Sequence, residues 1–400
     1  MMADQMVIEL RLEYLPPEIL SEIGRCMPLE DLKKMSMTSK KMRRSFSRWL
    51  FHSVAVRGDA DEVVYQIEYM LPSVNTEMRQ TMMANVKHIR LHVSSPPARY
   101  YYYQTWEGQP VTRLPVLLAT VLQQVENVAS IDLQPSDSLS EKDHEKLDEL
   151  LSQLPVYSRL YSLGFDTQKI MNRLVNKFAR NSIKSLTLND DRGNNLLEIA
   201  KTECPDLRRL ILRKNYPKIH QPPPSEILEA VGKDISKAFP ELEWFVIDYK
   251  WEPRSEEDAA VELEGLLGLV GPFAHAVSGM PKLERLGVGL PEVVFQMASQ
   301  ALAPGKDHGE EDYFHRDFES GIAHIAQIAP KLKEICFTTF NTWAYETCVD
   351  GTRYEYIVNH LKLAPYSLIY RGVRNTESAK MSLERPPAPG RHGFPRGLIF

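Results

Sequence analysis

One spacing of apolar residues recurs along most of the chain. An apolar residue is followed by a second one three positions later and by a third one two positions after that, and four copies have a proline just before the first position. The last two apolar positions alternate with polar ones, as in a short strand that buries one face. The pattern predicts eight strands, at Val86-Ile89-Leu91, Val128-Ile131-Leu133, Leu160-Leu163-Phe165, Ile183-Leu186-Leu188, Leu207-Leu210-Leu212, Leu242-Phe245-Ile247, Leu283-Leu286-Val288 and Leu332-Ile335-Phe337.

Helical patterns fill the intervals between these copies. Segments such as RLPVLLATVLQQVENV and SEILEAVGKDISKAF carry apolar residues at steps of three and four. A short strand that alternates many times with a helix is typical of a solenoid of the leucine-rich-repeat kind. The first positions are 42, 32, 23, 24, 35, 41 and 49 residues apart, however, and regular repeats of this kind run about 20 to 29 residues. We therefore predict an irregular leucine-rich-repeat-like β/α solenoid over residues 53–375.

Three short helices are predicted within the first fifty residues. Pro16 and Pro17 can occupy a first helical turn, where a missing N–H costs nothing, and Pro28 ends that helix. A second helix follows from Leu29, and Ser39 is a suitable N-cap for a third. Helices this short bury little apolar surface by themselves. We therefore expect another molecule to cover part of the apolar surface, which includes Leu15, Ile19, Leu20, Ile23 and Met27.

Residues 15–51, LPPEILSEIGRCMPLEDLKKMSMTSKKMRRSFSRWLF, resemble an F-box. The resemblance rests on the opening Leu-Pro, the Glu-Ile-Leu, a later Pro-Leu-x-Asp-Leu, a Ser-Lys-x-x-Arg and the closing Leu-Phe; methionines stand where Leu or Val is commoner. It implies binding to a Skp-type adaptor, and through it to a cullin, in a ubiquitin ligase. The residues that it assigns to adaptor binding are Leu15, Pro16, Ile19, Leu20, Ile23, Leu29 and Leu32.

Together these observations predict a mixed fold class, α+β or α/β. A small all-α three-helix F-box at residues 13–52 would be followed by the irregular solenoid. Residues 1–12 would form an N-terminal lead. Residues 376–400 are rich in Pro, Gly and Arg and would form a disordered tail.

The charge of the third predicted helix supports a different interpretation. Seven bases and no acid lie between Lys33 and Arg48, and three helices with a basic third one also describe a helix-turn-helix DNA reader. The whole chain has a net charge of −5, so the chain without these bases carries −12. The basic helix also lacks an Asn or Gln that could read adenine. Nucleic acid is therefore not the partner that we expect.

Residues between the apolar strand positions should point to the opposite face of the sheet. These include His88, Arg90, Ser130, Asp132, Arg285, Glu334 and Cys336. Arg and Trp are frequent interface anchors and occur in the middle copies, so we predict a target-binding patch there. The alternative for Trp244 is that it packs under a loop. The predicted patch comprises Arg209, Arg213, Trp244, Val246 and Asp248.

Two insertions carry further candidate chemistry. The tyrosine-rich segment 98–110 could anchor a partner or cap the first repeats. The acidic segment 303–317 contains residue types that bind metals, but its spacing matches no known metal loop. We expect no metal and no cofactor.

The function predicted from the sequence is that of a non-catalytic subunit of a Skp–cullin–F-box ubiquitin ligase, which recognises the target. P-loop, HExxH and GxSxG motifs are absent from the sequence. Four widely spaced cysteines and no signal peptide favour a cytoplasmic or nuclear location without membrane association. The alternative is a scaffold that binds the adaptor or another partner without directing ubiquitination.

Overall fold

The fold is described from a computed structural model. It describes residues 12–71, 76–93, 112–134, 139–165, 181–189, 196–215, 224–250, 266–290, 320–339, 344–347, 353–356, 369–374 and 381–384, together with residues 170, 174, 177 and 178. The tyrosine-rich segment 98–110 and the acidic segment 303–317 lie outside these described residues.

The described part of the chain begins with a 3-10 turn, Leu12–Tyr14, and three helices, α1 (Pro17–Cys26), α2 (Leu29–Thr38) and α3 (Lys40–Leu50). Pro17 starts α1, and the Ser39 side chain caps α3 by accepting a 3.1 Å hydrogen bond from the Met42 N–H. The helices share a small apolar core made of Leu20, Leu32, Met42 and Phe46. Helix α1 approaches α3 closely at Gly24, where a Cβ atom would lie 2.6 Å from Trp49 Cδ1.

The rest of the described chain is built on one sheet. Nine parallel strands follow each other in sequence order, and two antiparallel strands, β12 and then β13, extend the sheet beyond β9. A separate antiparallel pair is formed by β10 and β11. The strands are β1 (Ser53–Gly58), β2 (His88–Val93), β3 (Ser130–Gln134), β4 (Ser162–Phe165), β5 (Ser185–Asn189), β6 (Arg209–Asn215), β7 (Trp244–Lys250), β8 (Arg285–Leu290), β9 (Glu334–Thr339), β10 (Ala344–Thr347), β11 (Arg353–Tyr356), β12 (Ile369–Arg374) and β13 (Met381–Glu384).

Equivalent apolar positions of the eight triplets pair across the sheet. Ile89 on β2 is in register with Ile131 on β3, and the same row continues to Ile335 on β9. The first and third apolar positions of each triplet are buried with this row in one continuous apolar core. Just before each strand, one carbonyl accepts two backbone N–H groups of the next segment, as Lys87 O does from Ala129 and Ser130. This repeated hydrogen bond keeps the parallel strands in register.

Helices cover the apolar face of the sheet, since their buried residues belong to the same core as the apolar strand rows. The crossovers are helical because a parallel connection needs a dozen or more residues. The helices are α4 (Ala60–Met70), α5 (Thr76–Asn85), α6 (Leu114–Gln124), α7 (Glu141–Ser152), α8 (Leu196–Glu203), α9 (Pro224–Ala238), α10 (Leu266–Ser278) and a helical segment at residues 320–328.

The predicted fold class, a small three-helix domain followed by a leucine-rich-repeat-like solenoid, is wrong. The described structure is an α/β fold: nine parallel strands form one sheet, two antiparallel strands extend it at one edge, and helices cover its apolar face. The triplet pattern is common to any short parallel strand that buries one face, and the described parts of the long intervals contain helices such as α6 and α10. The first three helices are also not separate from the sheet. Helix α3 packs on α5, and the ring of His52 lies 5.9 Å from that of Trp49 and 4.8 Å from that of His88.

The end of the chain gives a second correction. Residues 376–400 were predicted to form a disordered tail, but Met381–Glu384 forms strand β13 and pairs with β12. Pairing with a neighbouring strand supplies order that the local composition does not encode. Among the described residues, no helix has the length and apolar character needed to cross a bilayer.

Candidate functional site

The face of the sheet opposite the helices carries most of its polar side chains, and we call it the polar face. Three registered rows of residues make it up. The first row is His88, Ser130, Ser162, Ser185, Arg209, Trp244, Arg285 and Glu334. The second row is Arg90, Asp132, Gly164, Thr187, Ile211, Val246, Gly287 and Cys336. The third row contains Arg57, His92 and Gln134 at one end and Arg213, Asp248 and Gly289 further along.

Asp132 is the centre of a hydrogen-bond network on this face. Its Oδ2 atom lies 3.1 Å from Arg90 Nε and 2.8 Å from His92 Nε2, and its Oδ1 atom accepts a 2.9 Å bond from Gln134 Nε2. Burial by itself would raise the pKa of Asp132, but His92, Arg90 and Arg213 together hold the pKa of this carboxyl well below its ordinary value. Asp132 is therefore a carboxylate, and it needs His92 to carry a proton on Nε2.

Two glycines make room for the two buried aspartates of the face. Gly164 is the register partner of Asp132, and a Cβ at this position would lie 2.6 Å from Asp132 Oδ1. Gly289 is the register partner of Asp248, and a Cβ there would lie 2.8 Å from Asp248 Oδ1. Each aspartate can therefore lean over the following strand. No real Cβ approaches an atom so closely without displacing it.

Arg213 links distant strands across the polar face. It extends from β6 and donates a 3.5 Å hydrogen bond from Nη1 to Gln134 Oε1 on β3. Its Nε atom lies 3.8 Å from Asp248 Oδ2 on β7. The side chains of β3 and β6 thus meet above β4 and β5, whose second-row residues, Gly164 and Thr187, are small.

An aromatic and basic cluster occupies the middle of the face. The guanidinium groups of Arg209 and Arg285 lie 4.2 Å and 4.5 Å from the centre of the Trp244 ring, within the range of cation–π attraction. Arg285 Nε also donates a 3.0 Å hydrogen bond to Glu334 Oε2. Beneath the arginines, the indole belongs to a small apolar cluster made of Ile211, Trp244, Val246 and Cys336.

The five predicted target-binding residues all lie on the polar face, but three of them are buried. Trp244 and Asp248 are each 3% exposed and Val246 is fully buried, so these three side chains offer almost no surface to a partner. This corrects the prediction for them: neighbouring arginines and the apolar cluster take up the contacts that a target was expected to make. Arg209 and Arg213 are partly exposed.

The seven predicted adaptor-binding residues also fall into two groups. Leu20 and Leu32 are 0% and 4% exposed because they form the core of the first three helices, so the prediction that they contact an adaptor is wrong for these two. Ile19 and Leu29 are 48% and 50% exposed. The remaining three, Leu15, Pro16 and Ile23, are partly or fully exposed.

The predicted site residues did not include the Asp132 network. Sequence reasoning placed Arg90 and Asp132 on the outward face of their strands but gave them no role, and it missed Arg57 because β1 carries no apolar triplet. The sequence does contain a pattern that could have predicted this network. Polar or charged residues flank the third apolar position in both RLHV and DLQ, at the same offset in neighbouring copies. Within the described part of the chain, no group of three His, Cys, Asp or Glu side chains could hold a metal ion.

Comparison with known proteins gives matches among solved structures alone. No family model matches the chain, and no curated protein matches it. Thirty-five chains of solved structures do match. One is the X-ray crystal structure of the arginine decarboxylase of Paramecium bursaria Chlorella virus, which is 14% identical over 53% of this chain and 52% of that one, with a TM-score of 0.23. The chain thus spans about half the length of that structure, and at this TM-score the similarity assigns neither fold nor function.

Proposed function

We propose that this chain is a non-catalytic target-recognition subunit of a Skp–cullin–F-box ubiquitin ligase. Its first two helices bind a Skp-type adaptor, and the partly exposed arginines of the polar face take part in holding a target protein. The chain acts by position: it raises the effective concentration of the target near the ligase and does no covalent chemistry itself.

The observation that carries this proposal is the exposed apolar stripe at the start of the chain. Ile19 and Ile23 lie one turn apart on α1, and Leu29 is the first residue of α2, the next helix in the chain. Ile19 and Leu29 are about half exposed. The core of these helices is already filled by other residues, so the stripe does not serve the fold. The stripe falls within the segment that resembles an F-box, and the residues that this resemblance assigns to adaptor binding include all three.

The target side of the proposal rests on charge and exposure. Arg209, Arg213 and Arg285 are partly exposed on the polar face, and each is already positioned by a neighbour within that face. Arginine side chains that are held in place lose less conformational freedom on binding than free ones do. We expect them to contact acidic or polar groups of the target.

Co-expression with a Skp-type adaptor tests the adaptor-binding part. The expected result is co-elution of an equimolar complex in size-exclusion chromatography, lost in the Ile19→Asp variant because a charge would be buried unpaired in the interface. Ile19 is half exposed in the free chain, so this variant should unfold at the same urea concentration as the wild type.

A matched control separates the stripe from apolar exposure in general. Val156 is 67% exposed and lies far from the first helices in sequence, so Val156→Asp should leave the complex intact. Separate elution of two folded proteins, or loss of the complex in both variants, would contradict the proposal. If the complex forms, ubiquitination of a co-purified target by the reconstituted ligase separates a ligase subunit from a scaffold.

A further inference from the structure

Three arginines lie in one region of the polar face: two come from the adjacent strands β1 and β2, and the third comes from β6, four strands further along the sheet. Arg57 lies on β1 in register with His92, Arg90 lies on β2, and Arg213 extends from β6. Arg213 reaches Gln134, which in turn donates to Asp132, the partner of Arg90. A chain of hydrogen bonds through Gln134 and Asp132 therefore connects Arg213 on β6 with Arg90 on β2.

The acidic groups of this region do not balance the arginines. Three guanidinium groups face two carboxylates, Asp132 and Asp248, which leaves one net positive charge when His92 is neutral. Burial lowers the pKa of His92 and therefore favours its neutral form, although the attraction of Asp132 opposes this shift. Asp132 already accepts bonds from three side chains, so it has little capacity left for Arg57.

Arg57 is the least satisfied member of the group. Its Nε atom is buried and has no hydrogen-bond partner among the residues that the structure describes. Burial lowers the pKa of Arg57, and the charges of Arg90 and Arg213 lower it further, against the opposing effect of Asp132. A buried donor that lacks an acceptor costs free energy, and a bound anion would supply the acceptor.

We propose that Arg57, Arg90 and Arg213 form a binding site for a phosphoryl group, either inorganic phosphate or a phosphate monoester. A tetrahedral phosphoryl group presents oxygen acceptors in several directions, as donors from three separate strands require, whereas a planar carboxylate suits one guanidinium fork. Gly164 on β4 and Thr187 on β5 are small residues, which leaves space above these two strands between Arg90 and Arg213. The site does not depend on the proposed ligase function.

Isothermal titration of the full chain tests the site, with inorganic phosphate and phenyl phosphate as probes, acetate as the carboxylate, and sodium chloride at equal ionic strength as the blank. We expect saturable binding of at least one phosphate probe and at least about tenfold weaker binding of acetate. Binding of inorganic phosphate alone would identify a free phosphate site. Binding of phenyl phosphate would extend the site to monoesters.

Substitutions tie the binding to these residues. Arg57→Gln and Arg213→Gln should each weaken phosphate binding by about tenfold or more, since each removes a charged hydrogen bond. Arg208→Gln is the matched control, because Arg208 lies just before β6, outside the polar face, and pairs with Glu243. This variant should bind phosphate as the wild type does. Phosphate should raise the melting temperature of the wild type but not that of Arg57→Gln.

The stability of the Arg57→Gln variant without ligand shows whether a loss of phosphate binding comes from unfolding. Without ligand, Arg57→Gln should be at least as stable as the wild type, because it removes a guanidinium group whose buried Nε atom has no acceptor among the described residues. The proposal is overturned if neither phosphate probe binds above the chloride blank, if acetate binds equally well, or if the folded Arg57→Gln variant binds phosphate unchanged.

Discussion

Asp132 and Gly164 are register partners on adjacent strands, and the carboxylate of the first occupies the space that a side chain of the second would need. A Cβ at position 164 would meet Asp132 Oδ1 at 2.6 Å and Cγ at 3.1 Å. The network around Asp132 therefore depends on a residue that makes no hydrogen bond through a side chain. The same arrangement recurs at Asp248 and Gly289.

Gly164→Ala should accordingly destabilise the protein. The added methyl group pushes Asp132 away from Arg90 and His92, and overpacking of this kind costs about 1–3 kcal/mol. Urea unfolding measures the change. Gly268→Ala is the control, because a Cβ there meets no atom within 4 Å and the residue lies in α10, where alanine is favoured by up to about 1 kcal/mol. Equal effects of the two substitutions would contradict this explanation.

Leu20 and Ile19, neighbours on α1, should respond differently to truncation. Leu20 is fully buried with Met42 and Phe46, so Leu20→Ala should lower the free energy of unfolding by about 2–5 kcal/mol. Ile19 is half exposed, so Ile19→Ala should cost less than about 1 kcal/mol. Urea titrations followed by circular dichroism distinguish the two. A large loss of stability for Ile19→Ala would place that side chain in the fold and not in the exposed stripe.

Trp244→Ala tests whether the indole serves the fold. Trp244 is buried with Ile211, Val246 and Cys336, so its loss should cost about 3–5 kcal/mol and should also free Arg209 and Arg285. Tyr69→Ala is the comparison, since Tyr69 is 78% exposed on α4 and its loss should change stability by no more than about 0.5 kcal/mol. A Trp244→Ala variant as stable as the wild type would show that the Trp244 side chain does not serve the fold.

Acidification should destabilise the junction between α3 and the sheet. Burial, followed by the charges of His52, Arg90 and Lys87, lowers the pKa of His88 to about 4 from its ordinary 6.5. The unfolded chain therefore binds a proton at this residue between these two pH values and the folded chain does not, so stability falls as the pH falls from 6.5 toward 4.

The expected loss from His88 alone is roughly 2 kcal/mol between pH 7.5 and pH 5.0. Urea unfolding at the two pH values measures it, and His88→Gln should flatten the dependence by that amount. His52 and His92, whose pKa values are also lowered by burial, should contribute to the slope that remains. A His88→Gln variant with the full wild-type pH dependence would exclude His88 as its source.

The cysteines should differ sharply in reactivity. Burial, with a smaller contribution from Glu203, raises the pKa of Cys204 to about 12, and Cys336 is fully buried, whereas Cys26 is exposed at the end of α1. Since the thiolate is the reactive form, iodoacetamide at pH 8 should modify Cys26 and leave Cys204 and Cys336 unmodified until urea is added. Peptide mass spectrometry measures each site. Modification of native Cys204 at the rate of Cys26 would contradict the burial.

The sequence by itself determined where eight of the strands lie, from β2 to β9, and which side of each of these strands faces the core. All eight apolar triplets end in strands, from Ile89 on β2 to Phe337 on β9, because an alternation of apolar and polar residues can bury only one face of a strand. The three initial helices were also predictable from Pro17, Pro28 and Ser39, which act locally on the backbone.

Only the tertiary structure decided how these elements assemble and which polar residues meet. Local patterns do not encode that α3 packs onto α5, that β13 pairs with β12, or that Leu20 is covered by Met42 and Phe46. The meeting of Arg213 with Gln134 depends on the order of strands in the sheet, since the two residues are 79 positions apart in the chain. Side-chain contacts of this range follow from register and packing, which sum over many residues, whereas the strand and helix patterns arise within a few.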